Sequence, residues 1–189
     1  MRLTFNLLAI LFLSCVFASA QTPSEGQSFA KGGVSFNYPN GWTIQEVKND
    51  DAIDLVLSRP NNDLLIKVFV HNGRITAEKL PDAKKAFIDP YIKASVKQFE
   101  EMGAQPKQAP DASDVAGVKA DGVNITASLG GETGASKIYW AVVGQRVVVL
   151  TLFGPDRDIK KFAPAWDLVR TTLKIEEKPA ASPSPKPSP

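Results

Sequence analysis

Histidine and cysteine are the residues most used for catalysis and metal binding, and this 189-residue chain has one of each, His71 and Cys15. A Ser-His-Asp triad presented on a nucleophile elbow needs a G-x-S-x-G turn, and the sequence has none. Zinc needs three or four nitrogen, sulfur or oxygen ligands, which one histidine cannot supply. His71 is therefore predicted to be a polar residue at a strand end, before a turn at Asn72-Gly73.

Carboxylates are the next source of chemistry, and the densest group lies within residues 49–54. The oxygen-bearing residues of this group are Asn49, Asp50, Asp51 and Asp54. A Ca²⁺ loop of the EF-hand type needs ligands at alternate positions and glycine at the sixth, where this chain has Asp54. The pattern therefore favours a solvated loop over a calcium site.

The remaining aspartate pairs are weaker candidates for a site. Asp111 and Asp114 have no ligand spacing, and Asp156 or Asp158 is predicted to cap a helix. Two carboxylates that act together in glycoside hydrolysis are placed by the fold, so the sequence leaves that possibility open.

Two further patterns are predicted to be structural. Residues 130–137, GGETGASK, lack the G-x-x-x-x-G-K-[ST] order of a phosphate-binding loop and precede a strand, which predicts a hairpin turn. The three tryptophans, Trp42, Trp140 and Trp166, fall on apolar faces, which favours core packing over a sugar-stacking platform. No catalytic, cofactor-binding or metal-binding residue is therefore assigned.

The elements that would position these residues are mostly strands. Alternating or short apolar runs predict strands at 34–38, 42–47, 53–58, 64–70, 118–128, 137–143 and 146–153. Short turns such as Pro39-Asn40-Gly41 and Gly144-Gln145 favour antiparallel pairing. The last of these strands, RVVVLTLF, is the most apolar and is predicted to be central.

Two amphipathic helices interrupt and close the strands. One apolar stripe consists of Ile88, Ile92, Val96, Phe99 and Met102, and the other of Phe162, Trp166, Val169 and Leu173. Asp89-Pro90 predicts an N-cap followed by proline at the first helical position, and Gly103 predicts a C-terminal cap. A shorter helical lead-in over 76–88 is predicted to join at Pro90 by a break or bend. The chain is thus predicted to be an α+β protein, an antiparallel sheet of six to eight strands covered by helices.

The two ends of the chain differ from this body. Residues 1–20 combine Arg2, an apolar run and Ala18-Ser19-Ala20, which predicts an export signal cleaved before Gln21. A lipoprotein modified at Cys15 is the minor alternative, with Phe12 departing from the usual motif. Residues 21–31 are predicted to be a polar linker, 32–176 the folded domain, and 177–189 a Pro/Ser-rich disordered tail.

Charge and cysteine content narrow the classes of partner. The net charge is +2, but residues 21–177 hold 19 basic and 20 acidic side chains, so the body lacks the basic field that nucleic-acid binding requires. Cleavage before Gln21 would leave no cysteine, hence no disulfide, and no stable transmembrane anchor.

Residues 33–42, GVSFNYPNGW, combine an aromatic strand, Tyr-Pro, a turn glycine and a tryptophan. This opening hairpin, with the hairpin at 137–153 and its closing helix, resembles the PsbP-like family, exported domains related to the extrinsic oxygen-evolving protein of photosystem II. The resemblance implies an α/β/α sandwich that serves as a non-enzymatic binding or assembly module. The basic and histidine-bearing positions of the photosystem members have no residue-by-residue match here, so the resemblance implies fold and compartment only.

The function expected from this resemblance is docking on a protein or complex of the cell envelope, in the periplasm or outside the cell, with no cofactor. A periplasmic small-ligand or metal-handling accessory protein is the alternative, and an enzyme with an unrecognised carboxylate site is a second. A docking module predicts an exposed apolar patch, whereas an enzyme predicts a cleft with convergent carboxylates.

Overall fold

The computed structural model describes residues 26–176. The predicted signal (1–20), Cys15 and the predicted tail (177–189) lie outside the described residues, as does the cleavage point before Gln21. Their boundaries remain predictions.

A seven-stranded antiparallel sheet forms the centre of the fold. Its strands in chain order are β3 (Thr43–Val47), β4 (Ala52–Ser58), β5 (Leu65–His71), β6 (Lys107–Val115), β7 (Val118–Leu129), β8 (Glu132–Val143) and β9 (Arg146–Pro155). The spatial order is β3-β4-β5-β9-β8-β7-β6, so β9 is central, as its apolar sequence predicted. The predicted α+β class with an antiparallel sheet is confirmed.

A second, three-stranded sheet has the order β1-β2-β10. Its strands are β1 (Gln27–Lys31), β2 (Val34–Tyr38) and β10 (Lys174–Ile175). The prediction of a polar linker is wrong for residues 27–31, because they pair with β2 from Gln27 opposite Tyr38 to Lys31 opposite Val34. No hydrophobic periodicity marks them, because a short edge strand buries few of its side chains.

Strand β6 was also missed by the sequence patterns. It pairs along its whole length with β7 and forms the outer edge of the large sheet. Most of its side chains are exposed, and Pro110 lies within it, which is tolerated on an edge strand. Polar composition therefore concealed a strand whose backbone is fully paired on one side.

One face of the large sheet is closed by the small sheet together with helices α3 (Asp156–Lys161) and α4 (Ala163–Thr172). The core on this side contains residues of the large sheet, the small sheet and the helices, among them Leu150, Phe36 and Trp166. Pro164 lies in the first turn of α4, where proline is tolerated. Helix α3 begins after Pro155 with no side-chain cap, so the prediction that Asp156 or Asp158 caps it was wrong; both lie in its first turn, where carboxylates favour the helix dipole.

The opposite face is covered by one helical arm, residues 77–101. It consists of a 3₁₀ turn (Ala77–Lys79), α1 (Leu80–Ala83), a π turn (Lys84–Ile88) and α2 (Asp89–Glu101). The predicted N-cap at Asp89 was wrong, because Ile88 before it is helical and Asp89 instead pairs with Lys84. In place of the break or bend predicted at Pro90, the helical arm continues through the π turn just before it. Proline has no backbone N–H, and in a regular α-helix its ring would clash with the carbonyl four residues earlier. The wider π turn before Pro90 accommodates it.

The arm ends at Gly103, as predicted. Gly103 has φ +85°, and its N–H bonds to the carbonyl of Glu100 while that of Ala104 bonds to Phe99. This pair of bonds is a Schellman motif, which needs a left-handed residue that glycine adopts without strain. Phe99 and Ala104 are both buried in the core beneath the arm.

Candidate functional site

The helical arm leaves two open spaces on the face that it covers. At its C-terminal end is a concavity of about 220 Å³ between α2 and the β7–β8 hairpin, which we call the apolar groove. Near its N-terminal half is a smaller one of about 180 Å³, which we call the arm cavity. Both concavities are lined mainly by apolar surface.

The apolar groove is built from the ends of three elements. Phe99 on α2 and Phe153 on β9 form its floor, with ring centroids 5.6 Å apart. Met102 lies where the Schellman motif stops the helix, and Leu129 lies just before the Gly130-Gly131 turn. Met102 is 43% exposed and Leu129 48% exposed, so two large apolar side chains stand in solvent beside the same groove.

The charged residues that line the apolar groove are acidic. They are Asp63 and Glu132, and no lysine or arginine is among its lining residues. Glu132 forms an ion pair with Arg157 at 2.7 Å, whereas Asp63 forms none with any residue that the structure describes. The groove therefore offers apolar contact with a net negative rim.

The arm cavity has an apolar part and a polar end. Its lining residues are Asp54, Lys67, Phe69, Phe87, Ile88, Tyr91, Val149 and Thr151. The Lys67 ammonium lies 3.6 Å from Asp54 Oδ1 and 5.3 Å from the centre of the Tyr91 ring. The Tyr91 hydroxyl donates a hydrogen bond of 3.0 Å to Thr151 Oγ1.

His71 lies at the end of β5, as predicted. Its ring stacks on Phe87 with centroids 5.5 Å apart, and its Nδ1 accepts a hydrogen bond of 2.9 Å from the Gly73 N–H. These contacts fix the ring against the helical arm and close the turn after β5, which is a structural role.

The acidic residues at 49–54 do not converge. Asn49 Oδ1 accepts from the Asp51 N–H at 3.1 Å, and the Asp51 carbonyl accepts from Asn72 at 2.7 Å. Asp54 belongs to β4 and lines the arm cavity, and it also borders a more polar concavity together with Asn49 and Asp50. No group of three or more His, Cys, Asp or Glu side chains within 26–176 is placed to hold a metal ion.

The other two structural predictions are confirmed. Gly130 and Gly131 form a two-residue turn with φ of +58° and +85° between β7 and β8. The three tryptophans are all buried, Trp42 and Trp166 in the core of the closed face and Trp140 in the core beneath the arm.

Arg146 is a buried cation that sequence reasoning missed. Its guanidinium donates to the carbonyls of His71 and Gly32, each at 2.9 Å, and to Asn72 Oδ1 at 3.0 Å. Burial lowers the pKa of Arg146. These bonds tie the β1–β2 turn of the small sheet to the end of β5. The only sign of them in the sequence is that an arginine is the first residue of the apolar strand β9.

Tyr139 and Asp111 form a second polar contact that the sequence did not reveal. The Tyr139 hydroxyl donates to Asp111 Oδ2 at 2.7 Å, and burial together with this carboxylate raises the pKa of Tyr139 well above its ordinary value. The phenol thus stays neutral and joins the covered β8 to the edge strand β6.

No helix in the described part of the chain is long and apolar enough to span a membrane. The sequence matches no protein-family model and no curated protein.

Solved structures, by contrast, share the fold. The chain is similar to cyanobacterial PsbP (CyanoP) from Synechocystis sp. PCC 6803, with 17% identity and a TM-score of 0.51, over 79% of this chain and 91% of that one. It is also similar to a protein of Bacteroides thetaiotaomicron, with 15% identity and a TM-score of 0.50, over 84% of this chain but 51% of that one. At these identities the likeness is one of fold.

Proposed function

The chain has the PsbP-like fold, and on that premise we propose that it is an exported, non-enzymatic binding or assembly module that docks on a protein or complex of the cell envelope. The observation that carries this proposal is the apolar groove, because two exposed large apolar side chains flank one concavity with an aromatic floor. Contiguous exposed apolar surface with a polar rim is typical of protein interaction sites.

The chemistry of the groove defines the partner segment. Met102 and Leu129 offer flexible apolar contact, and Phe99 and Phe153 offer flat surface below them. Within residues 26–176, Asp63 forms no ion pair. The partner is therefore an apolar segment flanked by lysine or arginine, because a basic flank would complement the acidic rim.

The polar groups of both concavities favour binding over catalysis. In the apolar groove Glu132 is already held by Arg157, and in the arm cavity the one carboxylate, Asp54, faces Lys67. Neither concavity presents a nucleophile hydrogen-bonded to a base that could activate it. This arrangement supports a docking module in preference to the enzyme alternative.

The test is affinity capture from the envelope of the source organism, with bait produced from the full-length chain. Partners are identified and quantified by mass spectrometry for wild type, for Met102→Ser/Leu129→Ser, and for a matched control. The control is Val47→Ser/Val118→Ser, which removes two other apolar residues of 41% and 38% exposure that lie outside the groove.

The expected result is one stoichiometric partner that is retained by the control and reduced at least about tenfold by the groove variant. A partner retained equally by both variants would show that docking uses another surface. The absence of any stoichiometric partner with a folded bait would contradict the docking function itself. Sequencing the N-terminus of the exported bait tests the predicted start at Gln21.

A further inference from the structure

The arm cavity has the size and shape to hold one ring. Its volume is about 180 Å³, and an apolar cavity of roughly 150 Å³ is enough to bind benzene in a protein interior. Phe69 on the sheet and Phe87 on the arm meet at 5.8 Å with their planes 43° apart, and Ile88 and Val149 complete the apolar walls. A flat aromatic body fits walls of this kind, since aromatic rings pack well in offset or tilted arrangements.

The helical arm is distorted at the residues that form this wall. Phe87 and Ile88 are the last two residues of the π turn, whose Asp89 N–H bonds to the carbonyl of Lys84 five residues earlier. Single π turns within α-helices occur frequently at functional sites. Here the wider turn sets the positions of two apolar side chains that line the cavity.

The polar end of the cavity carries a buried carboxylate oxygen with an unused hydrogen-bond acceptor. Within residues 26–176, Asp54 Oδ1 has no hydrogen-bond partner, because Lys67 at 3.6 Å is an ion pair beyond hydrogen-bond distance. In the same part of the chain the Lys67 ammonium makes no hydrogen bond either, and it rests against the Tyr91 ring. An incoming group that both donates and accepts can bridge these two charges.

The two charges also decide what kind of head group fits. The opposite charges of Asp54 and Lys67 cancel. A cationic head group would be repelled by the lysine, and an anionic one by the aspartate. Such repulsion is costly in a partly buried site. A hydroxyl avoids both penalties. We propose that the arm cavity binds a small neutral aromatic molecule with a hydroxyl group, of the phenol class, its ring between Phe87 and Val149 and its hydroxyl between Asp54 and Lys67.

The experiment is a set of NMR titrations of ¹⁵N-labelled protein produced from the full-length chain in an exporting bacterial host. The probes are phenol, toluene, benzoate and benzylammonium, which share the ring and differ in the head group. Phenol is expected to shift the amides of Phe69, Ile88 and Val149 saturably and to bind about tenfold more tightly than either charged probe. Absence of a saturable shift at these amides, or tighter binding of a charged probe, would overturn the proposal.

Variants test the contacts of the ligand's hydroxyl and of its ring separately. Lys67→Met is expected to weaken phenol about tenfold while leaving toluene unchanged, because only the hydroxyl uses the ammonium. Val149→Met fills the cavity and is expected to weaken both, whereas Met102→Ser in the apolar groove changes neither. Each variant is used only if its spectrum retains native dispersion; equal phenol binding by wild type and both cavity variants would place the ligand elsewhere. The result is independent of the docking partner, since no protein partner is present.

Discussion

The two faces of the seven-stranded sheet are covered in different ways. On one face, the small sheet, α3 and α4 enclose a cluster of 20 buried apolar residues, whereas the single arm encloses 10 on the other, within residues 26–176. Trp166, Val169 and Leu173 seal the first face from the side of α4. Both concavities described above, the apolar groove and the arm cavity, lie on the second face.

This difference separates stability from binding. Burial of apolar surface is the dominant favourable term in folding, so the closed face is expected to hold most of the stability. A single helix laid across a sheet cannot fill the space beside it, and the spaces that remain are where a ligand or a partner can enter. The closed face is therefore expected to hold the sheet in place, and the open face to carry the surfaces that bind.

The largest expected effect is on the closed face, at Trp42. This side chain is 4% exposed and meets Phe162 edge-on with centroids 6.0 Å apart. Trp42→Ala is expected to lower the free energy of unfolding by about 3–5 kcal/mol, because it removes a large buried ring and leaves a void. Denaturant unfolding followed by circular dichroism measures it. A loss below about 1 kcal/mol would mean that this face is not the main source of stability.

Arg146 tests whether the closed face depends on the bonds at its end. Arg146→Met keeps the buried chain but leaves the carbonyls of His71 and Gly32 without their donor. The expected loss is about 2–3 kcal/mol, because several hydrogen bonds donated by a charged group are removed. Hydrogen exchange should show faster opening of β1 and β2 than of β8 and β9. Uniform acceleration across all strands would argue that Arg146 does not specifically hold the small sheet.

Two neighbouring valines on β9 compare the faces directly. Val148 belongs to the core of the closed face and Val149 to the core beneath the arm, where it lines the arm cavity. Val148→Ala is expected to cost about 2 kcal/mol and Val149→Ala about 1 kcal/mol, because the second side chain already borders empty space. Equal losses measured by the same unfolding assay would show that the two faces are packed equally tightly.

The same contrast explains what the sequence could predict. The central place of β9, the left-handed cap at Gly103 and the strand-end position of His71 each depend on local pattern or turn chemistry, which sequence carries directly. Strands β1 and β6 escaped prediction because edge strands bury few side chains. Tertiary pairing decided their structure, so no periodicity marked them.

The residues of the candidate site were harder to predict from the sequence than the fold was. Asp54 is close in sequence to the other acidic residues of 49–54, but the pairing of β4 with β5 also places it near Lys67, at the end of the arm cavity. Met102 was predicted only as part of a helical stripe, and its exposure follows from where the Schellman motif ends the arm. Sites made by the ends of several elements require the topology before their residues can be grouped.

The smallest expected effect on stability is on the open face, at the rim of the apolar groove. Met102→Ser/Leu129→Ser removes two side chains that are already 43% and 48% exposed, so the free energy of unfolding should change by less than about 0.5 kcal/mol. The same substitutions are expected to reduce partner capture strongly, since exposed apolar anchors contribute to docking rather than to the core. Thermal melting beside the capture assay measures both quantities on one preparation. A large drop in melting temperature would place these residues in the core and remove the separation between the face that folds the chain and the face that binds.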